Sequence, residues 1–416
     1  MTASATVPTV ETVAPGLPTR LSEGSFVGHQ KLWFAAGVMG VAASLYGWSL
    51  GEESARQFLH SYLVAYAFVL SLCLGGMFFV LVQHLSRAGW SVVVRRIAEN
   101  AMGVVPYMLP LFLPIAIGYA TLYGHWVHAL DHPPGDPLHD PVLWGKRGFL
   151  NPPFFFIRAA LYFVIWIGIS RYFRGTSIRQ DQSGDASLSL KMSRVAAPCM
   201  LLFALSITFA AVDWLMSLDP HWFSTIWGVY YFAGSFMTFL AFLGLVCMWL
   251  RRHGWLSQAI NTEHYHDIGK LMFAFVVFWT YIAFSQFMLI YYANLPEETS
   301  FYQHRQEGSW LAIGKILVWG HFMIPFAFLI SRHMKRAKVT LAIGSVYLLA
   351  MHVIDMHWII MPNLHHHGAH PTWLDAVSLI GLVGLFLAIF IRNLRSAPLI
   401  PERDPRLRES LRFINH

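Results

Sequence analysis

Again and again along these 416 residues the sequence runs for about 20 positions with almost no charge, the length a helix needs to cross the hydrocarbon core of a bilayer. Ten such windows fall at 32–50, 61–83, 103–124, 154–173, 195–217, 226–250, 268–293, 310–331, 338–361 and 374–392. Inside lipid the backbone has no water to bond, so segments of this length are expected to span as helices. Only 12% of the chain is Asp, Glu, Lys or Arg, where a soluble protein carries roughly 25%. The fold class expected is an all-α polytopic membrane protein with ten transmembrane helices. A net charge of +7 would point to nucleic acid only on a folded polar domain with a basic face. No such domain is left between the windows, so no nucleic-acid partner is expected.

The basic residues orient the chain instead, because loops on the cytoplasmic side hold an excess of Lys and Arg. With the N-terminus inside, only Arg56, Lys146, Arg147, Arg158, Arg305 and Lys315 fall on the outer side. Both termini are therefore expected in the cytoplasm. The outer loops gather Asp131, Asp136, Asp140, Glu297, Glu298 and Glu307 with many histidines, among them His125, His128, His132 and His365 to His367. Residues 1–30, with Pro8, Pro15 and Pro18 and no apolar core, read as a disordered tail and not as a cleavable signal. Cys73, Cys199 and Cys247 lie inside windows without a CxxC pair, so neither a disulfide nor an iron–sulfur cluster is expected. Haem would need paired histidines on facing helices, and only His321, His352 and His357 lie within or near the end of a span; no haem is expected. The stretch Asn363-Leu-His-His-His-Gly-Ala-His lacks a second ligand cluster and reads as a solvated or docking loop, with no metal site.

An ionisable group deep in a bilayer needs a partner or a purpose. Asp213 in span 5, Asp355 and His352 in span 9 and His321 in span 8 are the candidates for a proton relay. His352 and Asp355 are three residues apart and share a helix face. One reading makes this set a proton path, or the acid and base of a quinol pocket; the other makes it buried ion pairs that fix helix register. Arg158 and Lys315 are the nearest candidate counter-charges. Beyond Asp213 the chain continues Trp-Leu-Met-Ser-Leu-Asp-Pro-His-Trp-Phe-Ser, where Pro220 ends one helix and Asp219 is placed to cap the next. In span 7, Tyr281, Ser285 and Gln286 form a polar stripe that suits a water wire, a quinone carbonyl or plain interhelical bonding. Pro106, Pro110 and Pro114 recur every fourth residue in span 3 and should kink it, freeing carbonyls that protein must cover.

Three stretches carry a family resemblance: Gly75-Gly-Met-Phe-Phe-Val-Leu-Val-Gln-His-Leu-Ser-Arg-Ala-Gly-Trp, the Asp213 to Ser224 segment, and Phe278-Trp-Thr-Tyr-Ile-Ala-Phe-Ser-Gln-Phe-Met-Leu-Ile-Tyr-Tyr-Ala-Asn-Leu-Pro-Glu-Glu. From about residue 30 to 395 the chain resembles the F subunit of bacterial alternative complex III, a quinol:cytochrome c oxidoreductase. That subunit is similar to the membrane subunits of polysulfide and nitrite reductases. The resemblance implies two four-helix bundles, spans 2–5 and 6–9, flanked by spans 1 and 10. Along the chain we divide it as 1–30 tail, 31–60 first flanking span, 61–194 first bundle, 195–361 second bundle, 362–395 outer loop and span 10, and 396–416 basic tail. It implies a bound quinone, menaquinone or ubiquinone, and a place in the bacterial inner membrane. The implied partners are a paralogous membrane subunit, an iron–sulfur subunit, c-type haem subunits and a terminal oxidase. By motif it carries roles in quinone binding or a proton path onto Asp213, Asp219, Tyr281, Ser285 and Gln286, whereas Asp355, His352 and His321 rest on burial alone. Two other readings stand beside it: a passive anchor of such a complex, and a proton-coupled transporter, which calls for broken spans at matching places in the two halves.

Overall fold

The computed structural model describes residues 19–415 and is helical throughout, with no strand among the described residues. Ten long helices follow the ten windows: α1 (Val27–Trp48), α2 (Glu52–Leu85), α3 (Val92–Ile117), α4 (Pro152–Ser183), α5 (Ser187–Trp214), α6 (Trp227–Arg252), α7 (Thr262–Ala293), α8 (Trp310–Leu329), α9 (Lys338–Ile360) and α10 (Trp373–Arg395). Among the described residues nine of them, α2 to α10, are long and apolar enough to cross a membrane. Outward-facing Leu161, Val164, Leu201, Leu289 and Ile343 are each more than half exposed, an apolar surface of the kind lipid covers. The chain is an all-α polytopic membrane protein.

α1 falls short in hydropathy and is held in place by α10. The two run antiparallel with their backbones in contact. A Cβ on Gly40 would lie 2.6 Å from the backbone of Gly381, and one on Gly384 would lie 2.7 Å from that of Gly37. Ser44 and Ser378 hydroxyls meet at 3.1 Å in the same seam. Small residues let two helices approach this closely where lipid offers no hydrophobic drive to pair them.

α2 and α6 are the most enclosed helices and pack on each other at the centre. At Gly75 a Cβ would come within 2.5 Å of the Ser235 carbonyl, so the Gly75-Gly76 step sets how closely they approach. α3, α4 and α5 gather around α2, α7 and α9 pack on α6, α8 closes against α7 and α9, and α1 with α10 lie against α2. α5 starts at Ser187 and packs on α2 and α4, so the break between the two groups falls in the connector after Trp214 and not at residue 194.

The proline-bearing span breaks into helical pieces at Gly103–Val104, Phe112 and Gly118. Pro106 and Pro114 start new pieces, where a missing N–H costs little. The carbonyls of Met102, Met108 and Leu111 accept from Ser170 (2.9 Å), Tyr66 (3.0 Å) and Tyr62 (2.7 Å). Its counterpart α7 is continuous, so the matched breaks that a transporter calls for are absent from this pair.

Several boundaries differ from the sequence reading, and some of the helices run longer than their windows. α2 begins at Glu52 and not near 61, because Glu52 and Glu53 favour a helix N-terminus and Glu52 pairs with Arg56 at 2.7 Å. Of the tail placed at 1–30, residues 1–18 lie outside the described residues. The rest is folded: α1 starts at Val27, Phe26 packs 4.1 Å from the Trp249 ring, and the Leu399 N–H donates to the Thr19 carbonyl at 2.7 Å. The basic segment after residue 395 is likewise packed, with Leu399, Ile400 and Leu407 buried. It carries Asp404 to Arg95, which sits inside the protein and not in a loop. Arg96 joins Glu99 (2.8 Å) and Asp181 (2.7 Å) in the same network, all of it almost fully buried.

Gly40→Leu should force α1 off α10 and cost about 1–3 kcal/mol, the usual range for overpacking. It should lower the thermal unfolding midpoint in detergent, while Ala42→Leu on the exposed face of α1 should leave that midpoint unchanged.

Candidate functional site

The two buried aspartates occupy opposite environments. Asp213, near the end of α5, receives Arg158 of α4 in a bidentate pair, Nε to Oδ2 at 2.8 Å and Nη2 to Oδ1 at 2.7 Å. The Tyr162 hydroxyl donates to Oδ2 at 2.6 Å. Arg158 is itself stacked on Phe149 and Phe154, with ring centroids 3.8 and 4.4 Å from its guanidinium carbon. Three donors, two of them on a permanent cation, hold this carboxylate on both of its oxygens. The geometry makes it a clasp between α4 and α5.

Asp355 on α9 has no such clasp. Its Oδ1 accepts from the Tyr230 hydroxyl of α6. Its Oδ2 lies 3.7 Å from His352 Nδ1, too far for a hydrogen bond, and has no other partner among the described residues. His352 Nε2 faces the Ser71 hydroxyl of α2 at 3.2 Å, and its ring fits because Gly234 on α6 leaves room: a Cβ there would lie 2.7 Å from Cε1. His321 stands in a π-helical turn, Leu317–Met323, with its ring centroid 4.0 Å from Trp279 and 6.5 Å from His352. Such turns recur at functional sites. All three residues are fully buried, and both His321 nitrogens, His352 Nδ1, Asp355 Oδ2 and Trp279 Nε1 are left without a hydrogen-bond partner among the described residues. Buried polar atoms are otherwise almost always satisfied, so this cluster stands out from the rest of the interior.

Beside the cluster lies a cavity of about 790 Å³ between α7 and α8. Tyr281, Phe284, Val318 and Trp319 line it and are more than half exposed, so it opens sideways onto the apolar outer surface. Tyr230 and Trp279 line its inner wall, the same side chains that touch Asp355 and His321. At the end near the α7–α8 connector stand Gln286, Tyr302 and Arg305. Gln286 accepts from Ser224 at 2.9 Å and donates to the Tyr302 hydroxyl at 3.1 Å.

The candidates therefore divide. Asp355, His352 and His321 converge, and Tyr281 and Gln286 line the adjoining cavity. Ser285 does not line it although it follows Tyr281 by one turn, and Gln286 stands on another side of the helix, so the three do not make one stripe. Asp219 is not a cap: α6 starts at Trp227, its N-cap is Ile226, and the intervening connector separates Asp219 from the helix. Lys315 lines the cavity and does not pair with either aspartate. Tyr230, Trp279 and Arg305 belong to the site and were not among the candidates. Tyr230 lies 125 residues from Asp355, and nothing local in the sequence ties the two together.

The outer histidine loop is partly docked. His365 Nε2 meets Gln57 Oε1 at 2.6 Å, and burial together with His370 pushes its pKa below the ordinary value. Among the described residues no three His, Cys, Asp or Glu are grouped to hold a metal ion. No protein-family model matches the chain, and no curated protein matches it.

Asp213→Asn should leave Arg158 as an uncompensated buried charge and cost about 3–5 kcal/mol, read as a loss of denaturation stability in detergent. The double change Arg158→Met with Asp213→Leu should recover much of that loss.

Proposed function

We propose that this chain is a membrane subunit of a quinol:electron-carrier oxidoreductase, where it binds quinone and takes up the protons that quinol oxidation releases. The observation that carries the reading is the double position of Tyr230, which lines the cavity and donates to Asp355. A lipid-soluble ligand needs a sideways entrance and an apolar slot with few polar contacts, and the gap between α7 and α8 offers both. A hydroxyl held against Tyr230 can pass its proton to the phenol oxygen while the phenol proton moves to Asp355. His352 and His321, with unpartnered nitrogens, are the next acceptors. The resemblance to the F subunit of alternative complex III supports the same assignment. In this proposal the chain lies in a bacterial inner membrane, beside a paralogous subunit, an iron–sulfur subunit and c-type haem subunits that carry the electrons, and the Lys and Arg distribution supports cytoplasmic termini. Asp213 has a holding role in this proposal, which separates it from the relay.

The test is quinol oxidation and proton uptake by the assembly purified from its native membrane. Asp355→Asn should lower both on the order of 100-fold and Tyr230→Phe about tenfold, within the range that general acid–base groups contribute. Wild-type rates in both variants, or isolation of the chain without any haem-bearing partner, would overturn the proposal.

A further inference from the structure

Arg305 is only 2% exposed, yet among the described residues no carboxylate lies within ion-pair distance of it. Its three hydrogen bonds all go to main-chain carbonyls: Nε to Trp358 (3.3 Å), Nη1 to Phe301 (3.0 Å) and Nη2 to Ile359 (2.8 Å). Two of those carbonyls belong to the last turn of α9 and offer only partial negative charge. A guanidinium has five N–H groups, so donors are left over. Burial pushes its pKa down to about 9, with Asp219 the carboxylate whose field opposes this, so the group stays cationic at neutral pH. Lys315, exposed on α8 and without an ion pair or hydrogen bond among the described residues, is a second cation on the lining. Among the described residues the lining holds no Asp or Glu. A buried cation facing an apolar slot calls for an anion with an apolar body.

We infer that the cavity selects a quinoid headgroup carrying an ionised hydroxyl, with Arg305 as its buried counter-charge and Lys315 assisting at the mouth. The inference rests on the quinone reading above. An anionic phospholipid shares the charge, but the inner wall is built of the rings of Trp227, Tyr230 and Trp279, which stack on a flat quinoid ring and not on a tetrahedral phosphate, so the wall favours the quinoid ligand. Here Arg305 is a positioning residue that keeps the negative oxygen in the slot after its proton has left.

The full chain in phosphatidylcholine nanodiscs is titrated at pH 7 with two probes that share one alkyl tail, a 2-hydroxy-1,4-naphthoquinone, which is an anion at this pH, and its neutral 2-methoxy ether. Quenching of tryptophan fluorescence reports binding. Wild type should bind the anion about tenfold or more tighter than the ether, the margin of one buried charge-assisted contact. Arg305→Gln should remove that preference while holding the ether's affinity, and Arg305→Lys should keep part of it. Equal binding of both probes to wild type overturns the inference and leaves the quinone reading standing. So does an equal loss of both in Arg305→Gln, which would reduce Arg305 to a cap for α9. Displacement of both probes alike by added phosphatidylglycerol would hand the cation to a lipid headgroup and also overturn it. If neither probe binds wild type, the quinone reading itself fails.

Discussion

A full charge inside a stack of apolar helices must be balanced where it stands, since water is not there to do it. This protein meets that demand in two ways. Asp213 is clasped on both oxygens by Arg158 and Tyr162. Asp355 is held by one phenol and faces two histidines that are not bonded to it. The first arrangement fixes α4 to α5; the second leaves a cluster whose polar atoms are not bonded to one another. The fourth helices of the two groups thus carry the same residue type with opposite consequences, and the cavity lies next to the open one.

Backbone geometry keeps the open cluster in place without bonding it. Gly234 admits the His352 ring against α6, the π turn in α8 brings His321 over Trp279, and Gly75 brings α2 close enough to α6 for the Tyr231 hydroxyl to reach the Ala67 carbonyl at 2.7 Å. Each device sets a distance by sterics and leaves the polar atoms of the cluster unsatisfied. That combination suits a site in which protons come and go, because a fully bonded network would resist every change of protonation.

Much of this was legible in the sequence. Window length alone located ten helices, and the rarity of charge singled out Asp213, Asp355, His352 and His321 as residues that need an explanation. Their partners were not legible. Tyr230 is an ordinary aromatic in an aromatic-rich helix until the fold sets it against Asp355, and Arg305 looks like a loop charge until its connector folds beneath α9. Sequence also misjudged Arg95 and Arg96, which count as loop residues by position. They are interior because Asp181 and Asp404 arrive from distant parts of the chain to neutralise them. Long-range pairing of charges has no periodicity to betray it, whereas apolar runs do.

Those arrivals impose an order on how the molecule is made. The glycine face of α1 has its partner in α10, and the buried Arg95 finds Asp404 only in the segment beyond α10. A nascent chain therefore carries the glycine face of α1 without its partner, and Arg95 with only Glu99 beside it, until its last part has been synthesised. A chain cut short before α10 would leave the glycine face of α1 bare to lipid, an open seam that a finished copy does not have.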